Sequence, residues 1–475
     1  MFRQHLPRLC HGQANYVIWQ QSPELSTSTV STARRTLYHL LLGLASVGAR
    51  LSPSLRSKLR ARRQWRPLLH RLQQEAPLKG ELLWVHAASA GEFEHVRTVL
   101  ELLRHRHPGL RVVLTFFSPS GWEAHRQTPL ADHVLLLPPD TPAAVEAFLE
   151  LLHPKVAVFV RYELWPGYLE ALQRRGIPAV LVAATFPQSP LWRLPGARSV
   201  LRRMLRSFTV LAAVRPDDVV AFRKLVPELP VELVPDPRYD RIWSVATSPA
   251  PDTFGFPWSD SSFFRLIAGS TWKADHRVIA EAIRRLPPQL QRRLCVVLVP
   301  HEPTLEVLAS LERLFPGALR WSRLSELHAG SAPRQGMQVL VVDRVGMLLQ
   351  LYRHGEAAYV GGGFGRCVHN VVEPAAYGLP LVCGPAIGCS LDAPKFHASG
   401  ALTVIRTPAE LAAWLSTMMT DEARRSHQGR AARELVGHNT GGTLRVVTLI
   451  EALLKSGGAA PVPQQSAQPL ESPHP

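Results

Sequence analysis

The sequence predicts an α/β protein made of two doubly wound, parallel-sheet domains, and three observations carry the prediction. Short apolar runs alternate with amphipathic stretches from residue 81 to 234 and again from residue 263 to 454. Strands that alternate with helices imply crossover connections, hence a parallel sheet covered on both faces. Between the two series lies ATSPAPDTFGFPWSDSS, residues 246–262, whose Pro, Ser and Asp content reads as a linker. The third observation is the stretch Tyr359 to Pro385, YVGGGFGRCVHNVVEPAAYGLPLVCGP, which reads as strand, glycine loop, short helix, strand. Glycines let a backbone come close to a ligand, and the N–H groups that open a helix favour an anion. This stretch is expected to hold the nucleotide of a glycosyl donor.

Residues 1–35 carry no periodicity and are expected to form a poorly ordered extension. Residues 36–70 join the apolar YHLLLGLASV (38–47) to a dense run of arginines from Arg50 to Arg66. The apolar piece falls short of the ~20 residues that span a bilayer. Its positive charge follows the apolar region, whereas a signal peptide needs it in front. Two readings remain: a helix packed on the first domain, or a basic helix lying in the inner-leaflet interface with arginines on the headgroups.

The first domain, 71–245, has expected strands at 82–86, 111–117, 134–137, 156–160, 179–183, 210–214 and 231–234. The second, 263–455, has them at 263–268, 296–299, 339–342, 357–360 and 379–383, and closes in helices near 408–419, 422–435 and 443–454. Thr407 and Pro408 suit the cap and first turn of one of these. The tail, 456–475, is rich in Pro, Gln and Ser and is expected to be disordered.

The 475 residues suffice for two cores, and 54 Lys+Arg against 37 Asp+Glu leave a formal charge of +17. That balance points to an anionic membrane surface, anionic substrates or nucleic acid. No aromatic-interleaved basic motif supports nucleic acid. There is no GxxxxGK[ST], no HExxH, and no dinucleotide-type glycine spacing after the first strand. Cys10, Cys295, Cys367, Cys383 and Cys389 show neither CxxC nor zinc spacing. Buried thiols at Cys295 and Cys383, and a reducing compartment, are therefore expected.

The candidate chemistry sits where strands end. In HAASAGE (86–92), Glu92 stands in a first helical turn, where a carboxylate can take a proton from a hydroxyl. Ser89 and Glu92 also have capping-box spacing, so the same residue is equally well a cap. Glu163, in RYELWP (161–166), is expected at another helix N-terminus, favoured by the dipole. Arg238, in DPRYD (236–240), suits a carboxylate or phosphate, or simply Asp240. In the second domain AGST (268–271), PHE (300–302) and DRVGM (343–347) end three strands. Asn370 and Glu373 have capping spacing, and Glu373 is alternatively a partner for ribose hydroxyls.

Taken in order, HAASAGE, YELWPGYL (162–169), DPRYD, AGSTW (268–272), VPHEP (299–303), GMLLQLYRHGEAAYVGGGF (346–364), HNVVEPAAYGLPLVCGP (369–385) and KFHASG (395–400) resemble the motifs of the 3-deoxy-D-manno-octulosonic acid (Kdo) transferases. The resemblance covers roughly residues 36–455. It implies a GT-B fold of two Rossmann-like domains facing a cleft, CMP-Kdo as donor, and a lipid A precursor reached from the cytoplasmic face of the inner membrane.

By resemblance, Glu92 is the base, Glu163 helps stabilise the transition state, and Arg238 stands where the family has a basic residue of similar role. Pro300, His301, Val345, Gly346, Met347, Asn370, Val371, Val372 and Glu373 match CMP-binding segments. Transfer is expected without a metal or other cofactor, since Arg238 and a helix N-terminus can meet the charges of CMP and of the Kdo carboxylate. The chain departs from the family at Arg161, where many members carry an acid, at Pro235, in place of a common glycine, and over residues 184–190. The alternatives are a GT-B transferase of UDP- or GDP-sugars and a non-catalytic membrane-binding protein.

Overall fold

The computed structural model describes residues 65–75, 80–187, 195–249, 263–326 and 338–456. The extension 1–35, most of the basic segment 36–70, most of the linker 246–262 and all but the first residue of the tail 456–475 lie outside the described residues. The chain forms two compact units, one of residues 1–238 and 441–475, the other of residues 239–440.

The first unit holds seven strands, β1 (Leu82–Ala87), β2 (Arg111–Phe116), β3 (His133–Leu136), β4 (Val156–Val160), β5 (Ala179–Ala184), β6 (Val210–Ala213) and β7 (Val231–Leu233). They pair in parallel in the order β3-β2-β1-β4-β5-β6-β7. The central strands are buried along their whole length, as a sheet covered on both faces requires. One face buries Trp84 edge-on against Phe148 and Phe159, each at 5.1 Å. The helix Trp65–Glu75 sends Leu69 and Leu72 into this same core, so the described end of the basic segment packs on its own domain.

The second unit holds β8 (Phe264–Thr271), β9 (Leu294–Pro300), β10 (Leu319–Arg320), β11 (Gln338–Val341), β12 (Ala357–Val360), β13 (Leu381–Cys383) and β14 (Leu402–Val404). The order β10-β11-β9-β8-β12-β13-β14 is again parallel throughout. Neither β10 nor β14 is among the expected strands; at two and three residues, both are too short to show a period. The expected cap is present, with Thr407 Oγ1 accepting from the Glu410 amide at 3.2 Å.

Two expected boundaries shift. The helix Gly442–Ser456, assigned by sequence to the second domain, belongs to the first unit. Its Val446, Val447, Ile450 and Leu453 share a core with Val85 and Leu114 and with Val156 and Val158, and apolar complementarity outweighs sequence proximity. The helix Pro237–Thr247 crosses the other boundary. Its Tyr239 and Ile242 are buried with Ile267 and Ala358 of the second unit.

Each sheet reverses its winding once, between β1 and β4 and between β8 and β12. In open parallel sheets the loops leaving the carboxyl ends at such a switch point diverge and leave a crevice for ligands. The loops after β1 and β4 carry HAASAGE and RYELWP; those after β8 and β12 carry Thr271-Trp272 and the glycine run.

Candidate active site

In the first unit, β1 ends in His86 and Ala87, and Ser89 then caps a one-turn helix, Ala90–Phe93. Ser89 N–H donates to Glu92 Oε2 at 3.0 Å, and Glu92 N–H donates to Ser89 Oγ at 3.4 Å. The capping box is thus formed, and the Glu92 carboxylate stands in an unusual environment. Its side chain is buried, with the residue 8% exposed. Burial and the nearby Glu163 charge raise its carboxyl to about 7, while His86 and Arg161 act in the opposite sense. A carboxylate that titrates near neutrality can both accept and release a proton there.

Glu163 lies in the turn after β4, outside the helix Pro166–Arg174 whose N-cap is Trp165. The expected helix-dipole support is therefore absent. Instead, Trp165 Nε1 donates to Glu163 Oε2 at 2.9 Å and to His86 Nε2 at 3.0 Å. His86 is fully buried, and its Nδ1 lies 3.1 Å from the Thr115 carbonyl and 2.9 Å from Thr115 Oγ1, which also receives Trp84 Nε1. This pattern places the imidazole proton on Nδ1 and leaves Nε2 to accept. Glu163 is held by a rigid aromatic frame, 3.4 Å from the His86 ring. His86 and Trp165 both stand within the quoted motifs, yet nothing in their spacing assigns them this task.

Arg238 pairs with Asp236. Its Nε donates to Asp236 Oδ2 at 2.9 Å, with Nη2 at 2.8 Å from the same oxygen. Asp236 Oδ1 accepts the Arg238 amide at 3.0 Å and lies 2.8 Å from His95 Nδ1. Burial opposes ionisation of Asp236, but Arg238 and His95 outweigh it and hold the carboxyl far below its usual range. Burial beside Arg238 lowers His95 to about 4 despite Asp236.

Because the Asp236 carboxyl is depressed, its stabilising contribution is present above its unfolded value of 3.8 and is lost as pH falls below that. Asp236→Asn takes the buried carboxylate away from Arg238 and His95. At pH 7 it should cost about 3–5 kcal/mol in denaturant unfolding, and the difference from wild type should shrink in acid.

In the second unit, Gly361 follows β12 so closely against β8 that a Cβ there would stand 2.3 Å from the Ser270 carbonyl oxygen. Gly362 takes φ +90°, and its amide donates to Asp275 Oδ2 at 2.9 Å. Asp275, buried, also accepts from Trp272 N and Tyr359 Oη, at 2.8 and 2.7 Å, tying the glycine turn to the helix Lys273–Arg285.

The loop then delivers His369. Trp272 Nε1 donates to His369 Nε2 at 2.7 Å, and the His301 ring stacks over both, 4.8 Å from Trp272 and 4.4 Å from His369. Burial and His301 lower His369 to about 4, so it is a neutral ring. Pro300 and His301 are thereby joined to the segment Asn370–Glu373. Trp272 and His369 were not singled out in sequence, since only the fold stacks rings 97 residues apart.

Asn370 Oδ1 accepts from Val372 N at 3.1 Å, and its amide donates to Glu373 Oε1 at 2.9 Å. The N-cap of the helix Val372–Ala376 is Val371, without a side-chain cap. The Asn370–Glu373 capping box is therefore not formed, and Glu373 faces Asn370, with its charge felt at Tyr352 and Arg241. The turn of Val345, Gly346 and Met347 leads into Leu348 and Tyr352, which pack over Gly269 of β8. Val345 itself is 76% exposed.

Cys295 and Cys383 are buried thiols, each pushed up to about 12 by burial. Cys367 and Cys389, expected to be free, form a disulfide with Cα atoms 5.8 Å apart. The parallel neighbours β12 and β13 bring their carboxyl-end loops together, a pairing that a separation of 22 residues does not announce.

A family model described as 3-Deoxy-D-manno-octulosonic-acid transferase (kdotransferase) matches residues 58–241. The curated 3-deoxy-D-manno-octulosonic acid transferase of Haemophilus influenzae is 24% identical over 384 residues, covering 78% of this chain and 87% of its own length. That of Bordetella pertussis is 28% identical over 391 residues, covering 79% and 88%. Among solved structures, UDP-GlcNAc 2-epimerase from Neisseria meningitidis bound to UDP-GlcNAc superposes with a TM-score of 0.55 at 13% identity, over 78% of this chain and 100% of that one. At that identity the likeness speaks for the fold alone. The motifs, the two doubly wound sheets and these relatives agree: over most of its length the chain is similar to the 3-deoxy-D-manno-octulosonic acid transferases, and it is a glycosyltransferase of GT-B fold.

Proposed function

We propose that the protein transfers Kdo from CMP-Kdo to a hydroxyl of a lipid A precursor, with inversion at the anomeric carbon. The observation that carries this reading is the buried Glu92 carboxyl, raised to about 7 at the switch point of the first sheet, at the position where the family has its base. Glu92 takes the proton of the acceptor hydroxyl, whose oxygen attacks the anomeric carbon as the bond to CMP breaks. Glu163, fixed by Trp165, and Arg238, fixed by Asp236, stabilise the charge that develops. Pro300, His301, the Val345–Met347 turn and Asn370–Glu373 hold CMP. The transfer proceeds without a metal ion. The Arg50–Arg66 run holds the enzyme peripherally on the anionic cytoplasmic face of the inner membrane; among the described residues no helix is long and apolar enough to cross a bilayer.

The test is mass analysis of lipid IVA after incubation with CMP-Kdo and the enzyme, with and without EDTA. Addition of whole Kdo residues in both samples is expected. An unchanged acceptor sinks the reading, and a product that EDTA abolishes and Mg2+ restores removes metal independence.

The pH profile gives a second check. A base must be ionised, so kcat/KM should rise with pH through an apparent value of about 7 that belongs to the Glu92–Glu163 pair. Because the Glu163 charge raises Glu92, Glu163→Gln should move this limb to lower pH as well as slow the reaction. A limb that stays in place would separate Glu163 from the base.

A further inference from the structure

Arg161 is the first residue after β4, beside the switch point, and three features set it apart. Its φ is +64°, a left-handed conformation for a residue with a side chain, while its amide is pinned to the Val182 carbonyl at 2.8 Å. Such a backbone persists only where the surrounding structure enforces it. Its guanidinium lies over the Tyr162 ring, 5.2 Å from the centroid. Its Nε is buried and makes no hydrogen bond. Unlike Arg238, it forms no ion pair with any described carboxylate, although its charge reaches Glu92, His95 and Tyr162. The residue is only partly buried, so the rest of its guanidinium, with no carboxylate paired to it among the described residues, has donors left for a group from outside the chain.

We propose that Arg161 binds an anionic group of the substrates, a phosphate or a carboxylate, beside Glu92, and so selects for an anionic substrate. The proposal rests on the reading of Glu92 as the base. A guanidinium fork already stacked on an aromatic ring presents its donors with little further ordering, and it matches phosphate and carboxylate oxygens in pairs. The anion has two sources under the proposed reaction: a phosphate of the lipid A precursor, or the carboxylate of the transferred Kdo.

Equilibrium binding to the full chain tests this independently of turnover. Wild type and Arg161→Gln are titrated with a phosphorylated lipid A precursor, its dephosphorylated form, CMP-Kdo, and CMP. Loss of a charge-assisted pair should weaken binding about 10- to 100-fold. Weakening confined to the phosphorylated precursor identifies the phosphate; weakening for CMP-Kdo but not CMP identifies the carboxylate. Unchanged affinity for both anionic ligands, or a wild type that binds neither, overturns the proposal. Arg161→Lys, which keeps the charge and loses the fork, should give an intermediate loss, and serves if the Gln variant does not fold. Product formation by wild type is scored separately, so failure of the transfer reading is distinguishable from failure of this one.

Discussion

Glu92→Gln should lower kcat by about 10²- to 10⁴-fold, the range spanned by positioned general bases, while the affinity for CMP stays at the wild-type level. Glutamine is chosen because it keeps the volume and can still face the Ser89 amide, as capping boxes accept Glu or Gln. Only the capacity to take a proton is removed. The folded protein should not suffer. The Glu92 carboxyl, raised above its unfolded value of 4.5, contributes stability below that value and loses it as pH climbs toward about 7. A neutral amide avoids that loss, so at pH 8 the variant should be at least as stable as wild type in denaturant unfolding. Single-turnover measurements with saturating CMP-Kdo separate the chemical step from binding. Near-normal turnover would remove Glu92 as the base and leave it a helix cap.

Gly361→Ala should damage the second unit more than an ordinary overpacked position, for which about 1–3 kcal/mol is usual. The added Cβ would lie 2.3 Å from the Ser270 oxygen, 2.6 Å from the Thr271 Cα and 2.7 Å from the Ser270 carbonyl carbon. All three are backbone atoms of β8, so no rotamer change relieves the contact. Movement of the loop also breaks the bonds from Gly361 N to Gly269 O and from His369 N to Gly361 O, at 2.9 and 3.0 Å. His369 and Asn370 then lose their positions, and CMP affinity should fall at least about tenfold if a single neutral hydrogen bond of about 1.5 kcal/mol is lost. Gly388→Ala is the control, since no atom lies within 4 Å of its added Cβ. Thermal unfolding and CMP titration of the two variants decide the matter. Equal behaviour would mean that β8 does not hold the loop in place.

Much of this arrangement was legible in the chain because it is local. Strand ends such as Leu82–Ala87 and Val156–Val160 are apolar runs stopped by polar or glycine residues, and the residues beyond them fall at the switch points by topology alone. Glu92 and Glu163 were singled out in this way, and Arg238 by its place after the last strand of the first sheet. What escaped depends on contacts between distant segments. Asp236 meets His95 across 141 positions. Trp272 meets His369 across 97. The apolar stripe of Gly442–Ser456 fits either unit by pattern, and only the shape of the β1–β4 face decides for the first. Glu163 was expected at the N-terminus of a helix, but that helix begins only at Pro166. Glu163 instead follows the turn of Arg161 and Tyr162, with its carboxylate against Trp165 and His86.

The return of Gly442–Ser456 to the first unit makes that unit discontinuous along the chain. During synthesis β1 to β7 leave the ribosome long before the helix that covers Val85, Val156 and Val158. All of residues 239–440 intervene. The first unit is therefore begun first and finished last, with an apolar sheet face uncovered while residues 239–440 are being made. Exposed apolar surface on a sheet invites aggregation at that stage. A nonsense codon just before Gly442 would consequently harm the half carrying Glu92, although the lost residues are more than three hundred positions away from it.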